Sequence, residues 1–358
     1  MTDILVIGGG IAGISAAARL SDHASVTLLE GESALGYHAS GRSAALFEEN
    51  YGCASVNALS RASADYHMHA NGGYLSPRGF LLLGRKGEDA AFDADLSELA
   101  STEISVSDAR ARVPILNDTI TRAAYHHSAQ DIDTDRLIQD FAKHLRSNGG
   151  KVITNATIDA ITFENGAWSV RAGDQTFNAS TLVNAAGAWA DQIADLAGVA
   201  PIGITPLRRS MARVPAPGGH DVSHWPIFFG VGESWYAKPD AGKLLISPAD
   251  EDPVTPHDAY ADDMVLAVGI DRYQQHVTEE ITRVESTWAG LRSFVADRTL
   301  VLGRDPVYPS FVWCAAQGGY GFQTAPAAAQ LIADIVLGHA SELDAETIAA
   351  LSPARLAS

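Results

Sequence analysis

DILVIGGGIAGISAAARLSDHASVTLLE, residues 3–30, carries the reading of the fold. Residues 3–7 are a short apolar run that stops at Gly8, Gly9 and Gly10, and residues 11–20 continue with small and apolar side chains suited to a tightly packed helix. Residues 26–29 read as a second buried strand, closed by Glu30. Strand, helix and strand in this order make a βαβ unit, whose right-handed crossover implies parallel strands in a doubly wound sheet. The spacing Gly8-x-Gly10-x-x-Gly13 is then a dinucleotide fingerprint in its proper context. Gly8 permits the tight turn, Gly10 lets backbone approach a pyrophosphate, and Gly13 allows helix and strand to touch. The amides of Ile11 and Ala12 open the helix toward the phosphates, and Glu30 with Gly31 stands where ribose hydroxyls would lie.

The rest of the composition bounds what such a unit belongs to. At 358 residues the chain exceeds the usual size of one core, so two domains are expected. Apolar residues at 46% against 19% charged imply a well-buried globular interior. A net charge of -18 repels nucleic acid and anionic membrane, and no apolar run reaches the ~18 residues of a membrane span. Cys53 and Cys314 stand alone, as in a reduced, cytoplasmic protein. No metal is expected: His67 with His69, and adjacent His126 and His127, have the wrong spacing for a ligand pair and read as surface residues.

Along the chain the nucleotide idiom is interrupted and resumed. Residues 77–84 and 206–248, rich in Pro, Gly, aromatics and short β-like runs, read as an antiparallel sheet with loops, and residues 76–130 and 206–285 around them are expected to form a second, substrate-binding domain on a mixed or antiparallel sheet. Residues 1–75, 131–205 and 286–358 read as the discontinuous Rossmann-like nucleotide domain. The fold class is thus α/β with an α+β second domain. The tail after Gly338 reads as a short surface appendage.

Three segments favour FAD over NAD. In residues 36–52, GYHASGRSAALFEENYG, the hydroxyls of Ser40 and Ser43 and the cation of Arg42 sit beside small Gly41 and Ala44, a surface suited to a phosphate and a flat ring. Ala186, Gly187 and Trp189 carry a strand end into a turn of little bulk. Gly318, Gly319, Tyr320, Gly321, Gln323 and Thr324 precede or open a helix whose positive dipole end would face the cofactor.

These blocks carry a family resemblance. VIGGGIAG, GYHASGRSAA, DIDTD, LVNAAGAW, ESWYAKPDAG, TWAGLRSF and AAQGGYGFQT, in this order over nearly the whole chain, resemble the D-amino-acid oxidase and glycine/sarcosine oxidase superfamily, nearest its bacterial FAD-dependent D-arginine dehydrogenase branch. The resemblance implies a glycine-oxidase-like fold, non-covalent FAD, and oxidation of an amino acid at Cα with hydride passing to flavin N5. It implies that Arg292 clamps the substrate carboxylate, assisted by Tyr236 and Arg209. It also implies that Tyr51 lies on an active-site lid and that the Gly319 carbonyl faces the substrate amine.

One departure bears on the substrate. The D-arginine enzymes meet the guanidinium with a glutamate in a motif like SPRPE, where this chain has Ser76-Pro77-Arg78-Gly79-Phe80. Phe80, Leu46, Ile227 and Phe229 make the pocket apolar, and a cationic side chain desolvated there without a partner would lose several kcal/mol. Neutral apolar D-amino acids are therefore the expected substrates, with Glu48 on the lid as the one feature favouring a basic one. The expected electron acceptor is a quinone or other carrier, with O2 as the alternative, since the chain has no second nucleotide fingerprint. Competing activities are oxidation of 2-hydroxy acids, oxidation of N-substituted or cyclic amino acids, and a silent flavin-carrying relay subunit.

Overall fold

The computed structural model describes residues 2–356 and builds them around two large sheets. In the first, Thr2–Ile7 lies between Gln175–Asn184 and Val26–Leu29 with both pairings parallel, and Lys151–Ile153 extends the sheet beyond Val26–Leu29. Four consecutive buried residues, Ile4 to Ile7, show why this run is apolar without alternation: both faces are covered. Ala160–Glu164, Ala167–Ala172 and Gln175–Asn184 form an antiparallel meander, and Phe311–Ala315 adds a parallel strand to Gln175–Asn184.

Small side chains let helices pack closely on this sheet. Ile11–Leu20 buries Ala16, Ala17 and Ala18 against the C-terminal helix Gly321–Leu337, which contributes Ala325, Ala327 and Ala328 to the same core. Gly13 is required here, because a Cβ at that position would collide with the Gly8 carbonyl. The C-terminal helix begins four residues before the alanine run and ends at Gly338 in the left-handed conformation, φ 73°, where glycine costs least.

The second sheet runs through Thr205–Pro215, Lys243–Ser247, Tyr236–Asp240, Ile227–Gly230, Phe80–Arg85 and Ile120–His126. Its pairings are antiparallel except for Ile227–Gly230 against Phe80–Arg85. A small third sheet, Leu46–Phe47, Gln130–Ile132 and Leu75–Pro77, lies at the crossings between the two.

Two expectations change. Ser286–Phe294 pairs along its whole length with Thr205–Pro215, so it belongs to the second sheet and the chain returns to the nucleotide sheet only after Phe294. The tail is more than an appendage: Ala345–Leu351 buries Leu351 completely. Residues 1, 357 and 358, the ends of the proposed nucleotide domain, lie outside the described residues.

Candidate active site

A single cavity of about 970 Å³ runs from the first glycine turn to the second sheet, large enough for a dinucleotide together with a small substrate. At one end lie Gly8, Gly10, Ile11 and Ala12, with Glu30 and Gly31 beside them. Gly8 has φ 104°, and a Cβ there would run into the Ala185 carbonyl, so the turn admits only glycine. The Glu30 carboxylate accepts from Gly9 N (2.6 Å) and Glu32 N (2.8 Å), which fixes it at the strand end. Ser40 Oγ accepts from Ile11 N at 3.0 Å, placing a hydroxyl at the helix start where phosphate would bind. Farther along, the cavity is walled by Ser43, Ala44, Ala186, Gly187, Trp189, Gly318, Gly319, Gly321 and Gln323. A bare glycine cradle, a helix N-terminus, an acid and an elongated cavity fit FAD.

At the other end the second sheet presents its charged residues. Arg209 pairs with Gly290 across the Thr205–Pro215 and Ser286–Phe294 strands, so Arg209 and Arg292 are diagonal neighbours on one face. Arg292 donates from Nη2 to the Tyr51 hydroxyl (3.0 Å) and from Nη1 to Glu251 (3.3 Å). Glu251 also takes Arg209 Nη2 (3.1 Å) and Arg298 Nη2 (2.9 Å), while Glu233 takes Arg209 Nη1 (3.0 Å). Three guanidiniums against two carboxylates leave the cluster one positive charge over.

Burial acts against the charge on Arg292, but Tyr51, Glu233 and Tyr236 outweigh it and raise its pKa, so the guanidinium stays charged. Burial also works to raise the pKa of Glu251, and the three guanidiniums around it prevail and lower it. The Tyr51 hydroxyl is pushed up to about 12, chiefly by burial and against the pull of Arg292. Gly319 lies against this guanidinium so closely that a Cβ would overlap it. Tyr236, on the strand beside Phe229, completes the wall.

The apolar side of the cavity is formed by Leu46, Phe80, Ile227 and Phe229, with the Phe80 and Phe229 rings 5.5 Å apart. Glu48 lines the same space and is buried. Its Oε1 accepts from Asn50 N (3.1 Å) and Asn50 Nδ2 (3.2 Å), and burial raises its pKa. Gln323 fastens this turn to the C-terminal helix, its Nε2 donating to Tyr51 O (3.1 Å) and its Oε1 accepting from Glu48 N (3.4 Å).

Several sequence expectations need correction. Arg42 lines the cavity, yet its guanidinium is committed to the Ala259 and Ala289 carbonyls (2.8 and 2.9 Å) and to Asp258 (2.5 Å). It ties the nucleotide segment to the second sheet instead of standing as a free cation. Gly13 acts by letting helix and strand touch and does not itself line the cavity; Gly41 does not line it either, and its N instead donates to Gly36 O at 2.6 Å. Tyr320 packs edge-on against Tyr51, and Thr324 donates to Tyr320 O (2.8 Å) inside its own helix, so both point into protein. His67 is fully buried, and His126 is half-buried. The histidine pairs misled because residues two apart on a helix, or adjacent at a strand, can put one ring inward and its partner out.

Glu251, Glu233 and His38, which faces Trp189 at 4.6 Å, were missed as site residues. The signal for Glu251 was the acidic run Asp250-Glu251-Asp252, whose Asp252 pairs with Arg208 in the second sheet.

Comparison with known proteins agrees with this geometry. The chain is similar in fold to glycine oxidase from Geobacillus kaustophilus, with a TM-score of 0.83 over 98% of each chain at 20% identity. It is similarly close to L-proline dehydrogenase from P. horikoshii, with a TM-score of 0.84 over 99% of this chain and 98% of that one at 20% identity. FAD-dependent oxidoreductase domain-containing protein 1 of Bos taurus is 29% identical over 182 residues, 46% of this chain and 37% of that protein, so the chain matches little more than a third of this relative. A model of the family described as DAO, FAD dependent oxidoreductase, matches residues 3–335, and the chain belongs to that family.

Proposed function

We propose that the chain oxidises D-amino acids at Cα, as a dehydrogenase preferring neutral apolar side chains, and that the imino acid formed hydrolyses to a 2-oxo acid and ammonia. The observation that carries this reading is the partly buried Arg292 cluster, one positive charge over, on the wall of the FAD cavity. A single substrate carboxylate balances it, with Arg292 as the clamp and Tyr51, Tyr236 and Arg209 beside it. The Gly319 carbonyl is proposed to accept from the substrate amine and thereby aim Cα. Bound FAD supplies a two-electron acceptor for the hydride leaving Cα. Tyr51, protonated throughout the working pH range, orients the carboxylate and takes no proton itself.

Support for apolar side chains comes from Phe80, which stands where the resemblance would put a carboxylate and which packs on Phe229. Support for the D configuration comes from the sequence blocks, since the fold is shared with an L-proline dehydrogenase. Residues 1–75, 131–205 and 295–358 are proposed as the FAD domain, and residues 76–130 and 206–294 as the substrate domain. The electron acceptor is proposed to be a quinone or another carrier. Among the described residues no helix is long and apolar enough to cross a membrane. Free Cys53 and Cys314 support a cytoplasmic location. A basic substrate is the second reading, favoured by Glu48 together with Asp95 and Glu98 on the cavity wall.

Anaerobic mixing of the FAD-loaded protein with D- and L-amino acids and 2-hydroxy acids, followed by flavin absorbance, tests the reading. Bleaching by apolar D-amino acids is expected. Bleaching by L-amino acids or hydroxy acids alone would overturn it.

A further inference from the structure

The apolar wall ends in a polar group that the proposed clamp does not use. Glu48 is 4% exposed and still lines the cavity. Its Oε1 is held by Asn50, whereas its Oε2 is buried without an aligned hydrogen bond. His126 Nε2 lies 3.2 Å from Oε2, close enough to pair electrostatically but off the line of a hydrogen bond. The His126 ring is stacked on Phe80, centroids 5.0 Å apart and 11° from parallel, so the aromatic wall and the carboxylate are braced by one imidazole. A buried acceptor without a donor is costly, and a ligand that brings the donor relieves the cost.

Resting on the amino-acid reading above, we propose that Glu48, positioned by His126, determines side-chain specificity by accepting a hydrogen bond from a neutral donor at the end of an otherwise apolar side chain. Phenol and indole side chains have this form. Their ring lies along Phe80, Phe229, Leu46 and Ile227, and their O–H or N–H meets Oε2. A cation is the poorer occupant, because the aromatic wall formed by Phe80 and the His126 ring would strip water from an ammonium or guanidinium and offer it a single carboxylate oxygen in return. The turn from Glu48 to Tyr51, closed by Tyr51 N donating to Glu48 O at 3.2 Å, puts this acceptor and the Arg292-bound hydroxyl on the same lid, at opposite ends of one substrate.

D-tyrosine and D-phenylalanine differ by one hydroxyl and make the test. In the wild-type holoenzyme, kcat/KM for D-tyrosine is expected to exceed that for D-phenylalanine by at least about tenfold. In Glu48→Leu the ratio should fall toward one. His126→Gln should reduce the ratio mainly through KM, because the carboxylate loses its brace. Equal activity on the two substrates in the wild type, or a ratio that survives in Glu48→Leu, would overturn the proposal while leaving the amino-acid reading intact. D-lysine outperforming D-tyrosine would replace the neutral donor by a cation. Failure of every D-amino acid to bleach the flavin would remove both readings together. The wild-type ratio needs no variant, so misfolding of Glu48→Leu does not block the test.

Discussion

Arg292 is a cation that the protein buries and then surrounds incompletely. Tyr51 and Glu251 take two of its donors, and the shared carboxylates leave the cluster short of one negative charge. Replacing it by Met removes the proposed clamp and leaves Glu251 with two of its three guanidiniums. The expected result is a loss of roughly 10²–10³ or more in kcat/KM, the scale of a broken buried charge pair, with FAD absorbance retained. Loss of FAD instead would show that Arg292 is structural. Tyr51 gives a pH prediction. Its hydroxyl is raised from an ordinary value of 10.0 to about 12, so it does not ionise below that pH. Tyr51→Phe should lower kcat/KM, yet the pH profile of the variant below pH 10 should keep the wild-type shape. A lost ionisation in that window would mean that Tyr51 titrates in catalysis.

The helix Ala54–His69 follows the lid and packs against the helix Gly321–Leu337, which opens on the glycines of the cofactor cavity. His67 joins them, its Nε2 bonding to the Gln323 carbonyl at 3.1 Å while Nδ1 has no partner. Burial lowers its pKa from 6.5 to about 4. A histidine depressed in the folded state binds fewer protons there than in the unfolded chain. Its contribution is therefore complete above pH 6.5 and is lost as pH falls through about 4. The loss amounts to about 3 kcal/mol at most. Melting temperature should fall between pH 6.5 and 4, and His67→Gln should flatten that dependence. An unchanged slope in the variant would place the acid sensitivity elsewhere.

Across the whole molecule, the cofactor cavity joins the two large sheets, with Arg42 and the Tyr51 hydroxyl as direct ties from the nucleotide segments to the second sheet. A ligand that fills such a cavity stabilises the fold by mass action, about 2.7 kcal/mol at a hundredfold excess over Kd. Stripping FAD should therefore lower the melting temperature, and adding FAD should restore it in a concentration-dependent way. A melting temperature indifferent to FAD would contradict binding between the sheets.

The fingerprint Gly8-x-Gly10-x-x-Gly13 with Glu30 determined by itself the parallel sheet, the cofactor class and one end of the cavity. That was legible because glycine spacing and strand length are local constraints, set by backbone sterics over some thirty residues. The blocks around Tyr51, Tyr236, Arg292 and Gly319 named the other end, and all four line one cavity. Tertiary structure alone decided how the charges are shared: Arg42 turned into a tie between the sheets, Glu251 between three arginines, and His126 stacked on Phe80 beside Glu48. Such pairings depend on which side chains from distant strands share a face and how far water is excluded from them. Neither property is written in the spacing of residues along the chain.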